Sequence, residues 1–279
     1  MQSLLNIIDR IERIKKKDED PTAIKCDIEI LNRILNGGFS KGNLYIVAGK
    51  ESVGKTSFIV SLISDIIHNR TDSLRVGVIT LNTSEELFIA RVLSNLTGIL
   101  LELILRGKLF EQDRQRLNYF TNVDEFDRIE ITAPGYLSIQ ELTDTCNRWV
   151  SEKGVQIIFI DYLQLISIEG IHENDLKIFT LCKALKKLSI DLNIPIIVTV
   201  PISLGKRISD LKDLRKTGAI EPFADVIMFL NRNVYNHDPE NEKGKQEIIL
   251  SIPKNNTGQS DSMKLRGALH VQKFVEFDY

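Results

Sequence analysis

The sequence predicts an α/β protein with a mostly parallel central sheet and antiparallel strands added at its C-terminal edge, and three observations carry that prediction. Short apolar runs alternate with helical stretches from Ile24 to Leu230, the pattern of strand–helix–strand units. The first full run leads into a glycine-punctuated loop, Gly49-Lys50-Glu51-Ser52-Val53-Gly54-Lys55-Thr56, set between a strand and a helix. After Leu230 the alternation stops, and a polar stretch Asn231–Lys245 leads into closely spaced strands, as expected of antiparallel additions.

Taken in order, Leu4, Ile7, Ile8, Ile11 and Ile14 recur at three- and four-residue steps and predict an amphipathic helix. Lys15-Lys16-Lys17-Asp18-Glu19-Asp20-Pro21 ends it, so residues 1–20 form a helix and charged linker ahead of one domain spanning 21–279. Strands are expected at Leu44–Ala48, Val76–Leu81, Ile129–Thr132, Gln156–Asp161, Pro195–Val200 and Asp225–Leu230, then at Glu247–Pro253 and Phe274–Phe277. Ser57–Ser64 carries apolar residues at helical spacing. Ser138 and Glu141 make a capping box for a helix whose Ile139, Leu142, Cys146 and Trp149 share a face.

Composition excludes several classes. A net charge of −2 over 279 residues argues against a chain that coats nucleic acid indiscriminately, so any nucleic-acid site is local. Cys26, Cys146 and Cys182 are odd in number, widely spaced and without a ligand pattern, and read as reduced, buried thiols of a cytoplasmic protein. His68, His172, His237 and His270 also lack metal-ligand spacing. Polar residues interrupt the first ten positions, which excludes a signal-peptide core, and no later run approaches a membrane span.

The loop at 49–56 matches G-x-x-x-x-G-K-[ST], which wraps the phosphates of a nucleoside triphosphate. Gly49, Lys50, Glu51, Ser52, Val53, Gly54, Lys55, Thr56 and Ser57 are therefore candidate nucleotide-binding residues. Backbone N–H groups cradle phosphate, Lys55 reaches the outer oxygens, and Thr56 offers a hydroxyl to magnesium. Ile157-Ile158-Phe159-Ile160-Asp161 is an apolar strand ending in a carboxylate, a weak signal alone. Paired with the loop, it makes Asp161 a second candidate magnesium ligand.

Gly37-Gly38-Phe39-Ser40-Lys41-Gly42-Asn43-Leu44, the phosphate loop, Asp161-Tyr162-Leu163-Gln164-Leu165 and Asp213-Leu214-Arg215-Lys216-Thr217-Gly218-Ala219-Ile220-Glu221 through Ala224–Leu230 occur in one order. That order resembles the motor domain of DnaB-type replicative helicases over nearly the whole chain. The resemblance implies a RecA-like P-loop fold, ATP and Mg2+ as ligands, and a homo-oligomeric, hexameric ring with nucleotide at its interfaces. Single-stranded DNA is the implied partner in the central channel. The family's N-terminal primase-binding domain is not matched, and the 4–14 helix resembles the linker helix that docks on a neighbouring subunit.

The resemblance also exposes departures. Where the family has a catalytic glutamate, a phosphate-sensing glutamine and a K-x-R pair that reaches the neighbour's phosphate, this chain has Asn82, Pro201 and Lys254-Asn255-Asn256. The catalytic set implied is thus Lys55, Asp161 and Lys254, with Glu51, Glu85 and Glu86 as possible substitutes for the base. Two functions follow: an ATP-driven helicase with unusual catalytic residues, or a hydrolysis-poor subunit that joins, loads or regulates a helicase ring. A recombinase-like filament protein is a third. Arg215, Lys216 and Gly218 match the family's channel loop and are candidate DNA-backbone contacts, with Lys206 and Arg207 as weaker additions.

Overall fold

In a computed structural model the protein is described over residues 22–68, 74–120, 126–171, 173–202, 211–215, 219–232 and 245–277. The 4–14 helix, the charged linker, His172, His237, Lys206, Arg207, Lys216 and Gly218 lie outside these residues.

The elements run α1 Glu29–Ile34, β1 Leu44–Gly49, α2 Lys55–His68, β2 Arg75–Thr80, α3 Glu85–Thr97, α4 Leu101–Leu105 and α5 Glu111–Phe120. Next come β3 Ile129–Thr132, β4 Leu137–Ser138, α6 Ile139–Lys153, β5 Val155–Asp161, β6 Ile166–Ser167, α7 Asn174–Leu192 and β7 Ile196–Pro201. The chain closes with α8 Leu211–Arg215, β8 Val226–Arg232, β9 Lys245–Asn255, β10 Asp261–Ala268 and β11 Lys273–Glu276.

Among the described residues, one sheet holds nine strands in the order β11-β10-β9-β8-β1-β7-β5-β2-β3, and β4 pairs with β6 in a small second sheet. The strands from β8 to β3 pair in parallel, whereas β8–β9, β9–β10 and β10–β11 are antiparallel. The predicted class is therefore the observed one. Boundaries differ by a residue or two: β8 continues through Asn231 and Arg232, which the sequence places in the polar loop.

Parallel strands are covered on both faces, so their residues read as continuous apolar runs. All six residues of β1 are buried. Alternation still sorts the side chains, because successive residues point to opposite faces. Tyr45, Val47, Ile157 and Phe159 pack with α2 and α3 residues such as Phe58 and Phe88. Leu44, Ile46, Ile158 and Ile160 pack with α6 and α7 residues such as Trp149 and Leu185. The Ser138–Glu141 capping box forms as expected: Ser138 Oγ accepts from Glu141 N–H at 3.2 Å, and Glu141 Oε2 accepts from Ser138 N–H at 2.8 Å. All three cysteines are buried free thiols, and burial pushes Cys146 and Cys182 up to about 12. No helix among the described residues is long and apolar enough to cross a membrane.

One buried carboxyl gives the fold a pH dependence. Asp65 on α2 is 8% exposed, and its carboxyl is pushed up to about 7, first by burial and then by neighbouring Asp27, although it accepts the Asp27 N–H at 3.3 Å. A carboxyl with a raised folded-state value holds its proton more tightly in the native state, so its contribution favours folding at low pH and is lost as pH rises from about 4 to about 7. Asp65→Asn should remove this slope and raise stability at pH 8 relative to the parent by about 1 kcal/mol or more. Unfolding temperatures measured across pH 5–8 check it; parallel profiles for parent and variant would show that Asp65 does not titrate in that range.

Candidate nucleotide site

Gly49 ends β1, Asn82 follows β2, Asp161 ends β5 and Pro201 ends β7. The carboxyl ends of neighbouring parallel strands thus converge on one edge of the sheet, where ligands of open α/β folds bind. A cleft of about 530 Å3 lies there, lined by residues including Glu51, Ser52, Gly54, Lys55, Thr56, Ser57, Asn82, Arg91, Asp161, Tyr162, Pro201, Leu269 and Gln272. Its size suits a nucleotide-sized ligand.

The loop's two glycines have separate steric reasons. A Cβ on Gly49 would stand 2.8 Å from the Leu230 carbonyl oxygen of the neighbouring strand. Gly54 has φ +103°, and a Cβ there would meet Leu269 Cδ2 at 2.8 Å. Only glycine keeps β8 and the C-terminal hairpin this close to the loop. Lys55 opens α2 and folds back, donating from Nζ to the carbonyls of Gly49 (2.9 Å) and Lys50 (2.8 Å). Burial lowers its pKa, and the charges of Asp161 and Glu51 oppose that shift. The ammonium therefore rests on weak neutral acceptors that an anionic phosphate can replace.

Thr56 Oγ1 donates to Asp161 Oδ2 at 2.7 Å, and Thr199 of β7 donates to the other carboxylate oxygen. Asp161 is 2% exposed, so these hydroxyls solvate and orient a carboxylate that has left water. A hydroxyl touching a carboxylate at the start of a helix is an all-oxygen donor pair suited to a hard cation such as Mg2+, which takes few protein ligands and completes its shell with water and phosphate. No group of three His, Cys, Asp or Glu that could hold a metal occurs among the described residues.

The structure sorts the sequence candidates. Glu51, Ser52, Gly54, Lys55, Thr56, Ser57 and Asp161 line the cleft, as do Asn82 and Pro201. Gly49 and Lys50 instead supply carbonyls to Lys55, and Val53 is 5% exposed in the core beneath the loop. Glu85 and Glu86 stand in the first turn of α3 and are not among the lining residues. Lys254 lies opposite Ile227 on β8, whereas Gly49 lies opposite Leu230, so Lys254 sits roughly 10 Å back along the strands from the loop. Its Nζ donates to the Glu221 carbonyl at 2.6 Å. Lys254 therefore lies apart from the cleft of its own chain.

Arg215 at the end of α8 forms a two-point pair with Glu221, from Nε at 2.6 Å and Nη2 at 3.1 Å. The resemblance implies a channel cation at this position; its charge is engaged by Glu221, and Glu173 and Asp175 line the same groove.

Three residues that sequence reasoning passed over belong to the cleft or hold it. Arg91 of α3 and Gln272 line it directly, and Arg232 Nη2 donates to the Ser52 carbonyl at 2.9 Å, pinning the tip of the loop. Arg91 had a legible signal, since it lies in the helical stripe of Phe88, Val92 and Asn95, where an apolar residue is expected.

The comparisons with known proteins agree with this fold. Residues 23–276 match the family model of the DnaB-like helicase C terminal domain. The chain belongs to that family. Among its relatives, this DnaB-like chain is 28% identical to the replicative DNA helicase DnaC of Bacillus subtilis, over 99% of its own length and 61% of the relative's. It is 31% identical to a probable plasmid replicative DNA helicase of Chlamydia trachomatis, over 92% of its own length and 54% of the relative's. The chain thus spans little more than half the length of these helicases. Among solved structures, a DnaB-like replicative helicase superposes with a TM-score of 0.83 at 23% identity, covering 99% of this chain and 66% of that one. A RadB recombinase superposes less well, with a TM-score of 0.56 at 14% identity over 91% of this chain and 100% of that one, which marks the RecA-like fold that the DnaB-like domain shares with recombinases.

Proposed function

We propose that this DnaB-like domain binds ATP with Mg2+ in the cleft, assembles into a ring, hexameric by family analogy, and engages single-stranded DNA in replicative-helicase machinery. The observation that carries the reading is the constellation of Lys55, Thr56 and Asp161 at the carboxyl edge of the sheet, with Thr56 and Asp161 in contact at 2.7 Å. Thr56 and Asp161 would hold the metal, which supplies neutralisation of phosphate charge. Lys55 trades two backbone carbonyls for phosphate oxygens, and the helix N-terminus faces the anion. The recombinase reading draws only on the fold.

Three residues favour a second, narrower reading within the same family: a nucleotide-holding subunit with slow hydrolysis, which joins, loads or regulates a helicase ring. Asn82 and Pro201 occupy the cleft where a base and a phosphate sensor are needed. An amide is no base and proline offers no side-chain donor. Asn256 donates its backbone N–H to the Asp225 carbonyl at 2.9 Å and has no cationic side chain to extend to a neighbour.

Binding of a fluorescent oligodeoxynucleotide to the full chain, with an ATP analogue and Mg2+ present, tests the DNA half of the reading. Affinity independent of sequence and falling steeply with salt is expected. Glu221→Gln should strengthen binding and steepen the log–log salt slope by up to about one unit, because it releases the Arg215 guanidinium for a phosphate. No binding at low salt would contradict the proposal, and an unchanged slope would place Arg215 outside the DNA path.

A further inference from the structure

Arg91 carries a guanidinium into the wall of the cleft with little to balance it. Its Nη1 donates to Gln272 Oε1 at 2.6 Å, while its Nε is buried without a partner. Burial lowers its pKa and the charge of Asp161 opposes that shift. No carboxylate pairs directly with it among the described residues. A partly buried cation with an unsatisfied donor is held at a cost until a counter-charge arrives, and the cleft it lines is the one that Lys55 and Thr56 prepare for phosphate.

Gln272 fixes where that cation points. The residue is 3% exposed and sits in the left-handed backbone region, with φ 57°, in the turn between β10 and β11. Its Oε1 accepts from both Arg91 and Ser57 Oγ, the latter at 2.8 Å, and so uses both lone pairs. Its amide nitrogen donates to the Leu269 carbonyl of the same turn, and its own carbonyl accepts from Asn95 Nδ2 at 2.7 Å. Reversing the amide would aim an NH2 group at a guanidinium, so the orientation is determined by charge. One side chain therefore joins the first turn of α2, the buried face of α3 and the C-terminal hairpin, and every polar atom of that side chain is spent on the junction.

We propose that Gln272 is a positioning residue of the phosphate site: it aims Arg91 into the cleft and ties it to Ser57, next to Thr56, so that preference for a nucleoside triphosphate over the diphosphate depends on it. The inference rests on the nucleotide reading above. Arg91 lines the same cleft as Thr56 and Asp161, the pair that in P-loop proteins holds the cation bridging the outer phosphates. The additional phosphate charge of a triphosphate supplies what the guanidinium lacks, whereas a diphosphate leaves it poorly matched.

Calorimetric titration of the full chain with a non-hydrolysable ATP analogue and with ADP, each with Mg2+, tests the role. Gln272→Leu should weaken the analogue about tenfold and ADP less than about twofold, the scale expected for one hydrogen bond to a charged group. Gln272→Glu keeps the shape and adds a carboxylate that captures Arg91, so its loss for the analogue should be at least as large; it also serves if the leucine variant does not fold. In an Arg91→Ala background, Gln272→Leu should cost the analogue little more, because residues acting through one contact are non-additive. Equal losses for the two nucleotides, or full additivity with Arg91→Ala, would overturn the role of Gln272 while leaving nucleotide binding intact. A parent chain that binds neither nucleotide would overturn the nucleotide reading, and this inference with it.

Discussion

Lys55→Ala is expected to lower affinity for Mg-ATP by roughly 150-fold, with the fold retained. The ammonium now rests on the Gly49 and Lys50 carbonyls, acceptors that phosphate oxygens replace with charge-assisted bonds. Loss of one partner from such a charged contact costs about 3 kcal/mol, and that is about two decades in affinity. The same substitution should cost stability only about 1 kcal/mol, because the Gly49 carbonyl keeps the Ile202 N–H as a partner at 3.0 Å and Lys55 borders the cleft. Calorimetry on the variant, with its unfolding temperature as control, separates the two effects. An affinity for ATP unchanged from the parent would remove the phosphate-loop assignment altogether.

Much of this site could be read from the sequence because its central parts are local. The glycine-punctuated loop declares itself within eight residues, and its neighbours Leu44–Ala48 and Ser57–Ser64 fix the strand before it and the helix after it. Asp161 was legible as the polar end of an apolar strand, and only in combination with the loop. The parallel sheet was equally visible, since strands buried on both faces are written as unbroken apolar runs. What sequence could not show was which distant residues the fold returns to the cleft. Thr199 reaches Asp161 from a strand 38 positions away, and Gln272 meets Ser57 across 215 positions. Neither residue breaks its local pattern: threonine is an ordinary strand residue, and a glutamine after a strand reads as a solvated turn. Arg91 did break its pattern, as a cation in an apolar helical stripe. Arg215 pairs with Glu221, six residues on, a contact that a short basic segment does not announce in sequence.

The departures from the family pattern lead to the largest effect of all. Positioned acid–base catalysis contributes about 10²–10⁴ in rate, and an arginine supplied to the transferred phosphate about 10³–10⁵. Asn82 and Pro201 line the cleft at the positions where the resemblance expects the base and the phosphate sensor, and Asn256 is where it expects the arginine. Glu51 is the carboxylate that lines the cleft besides Asp161, and it sits on the phosphate loop and not at the end of β2, where the resemblance expects the base. Losses of this kind leave binding intact, since Lys55, Thr56 and Asp161 remain assembled. The chain should therefore hold ATP and release it largely unhydrolysed. The direct measurement is steady-state ATP turnover by the full chain, with Mg2+, in the absence and presence of saturating single-stranded DNA, alongside the ATP affinity of the same preparation. The account predicts clear binding with turnover below about 10⁻² s⁻¹ in both conditions, at least two decades under the usual enzyme range of about 1–10³ s⁻¹; DNA-stimulated turnover within that range would contradict it.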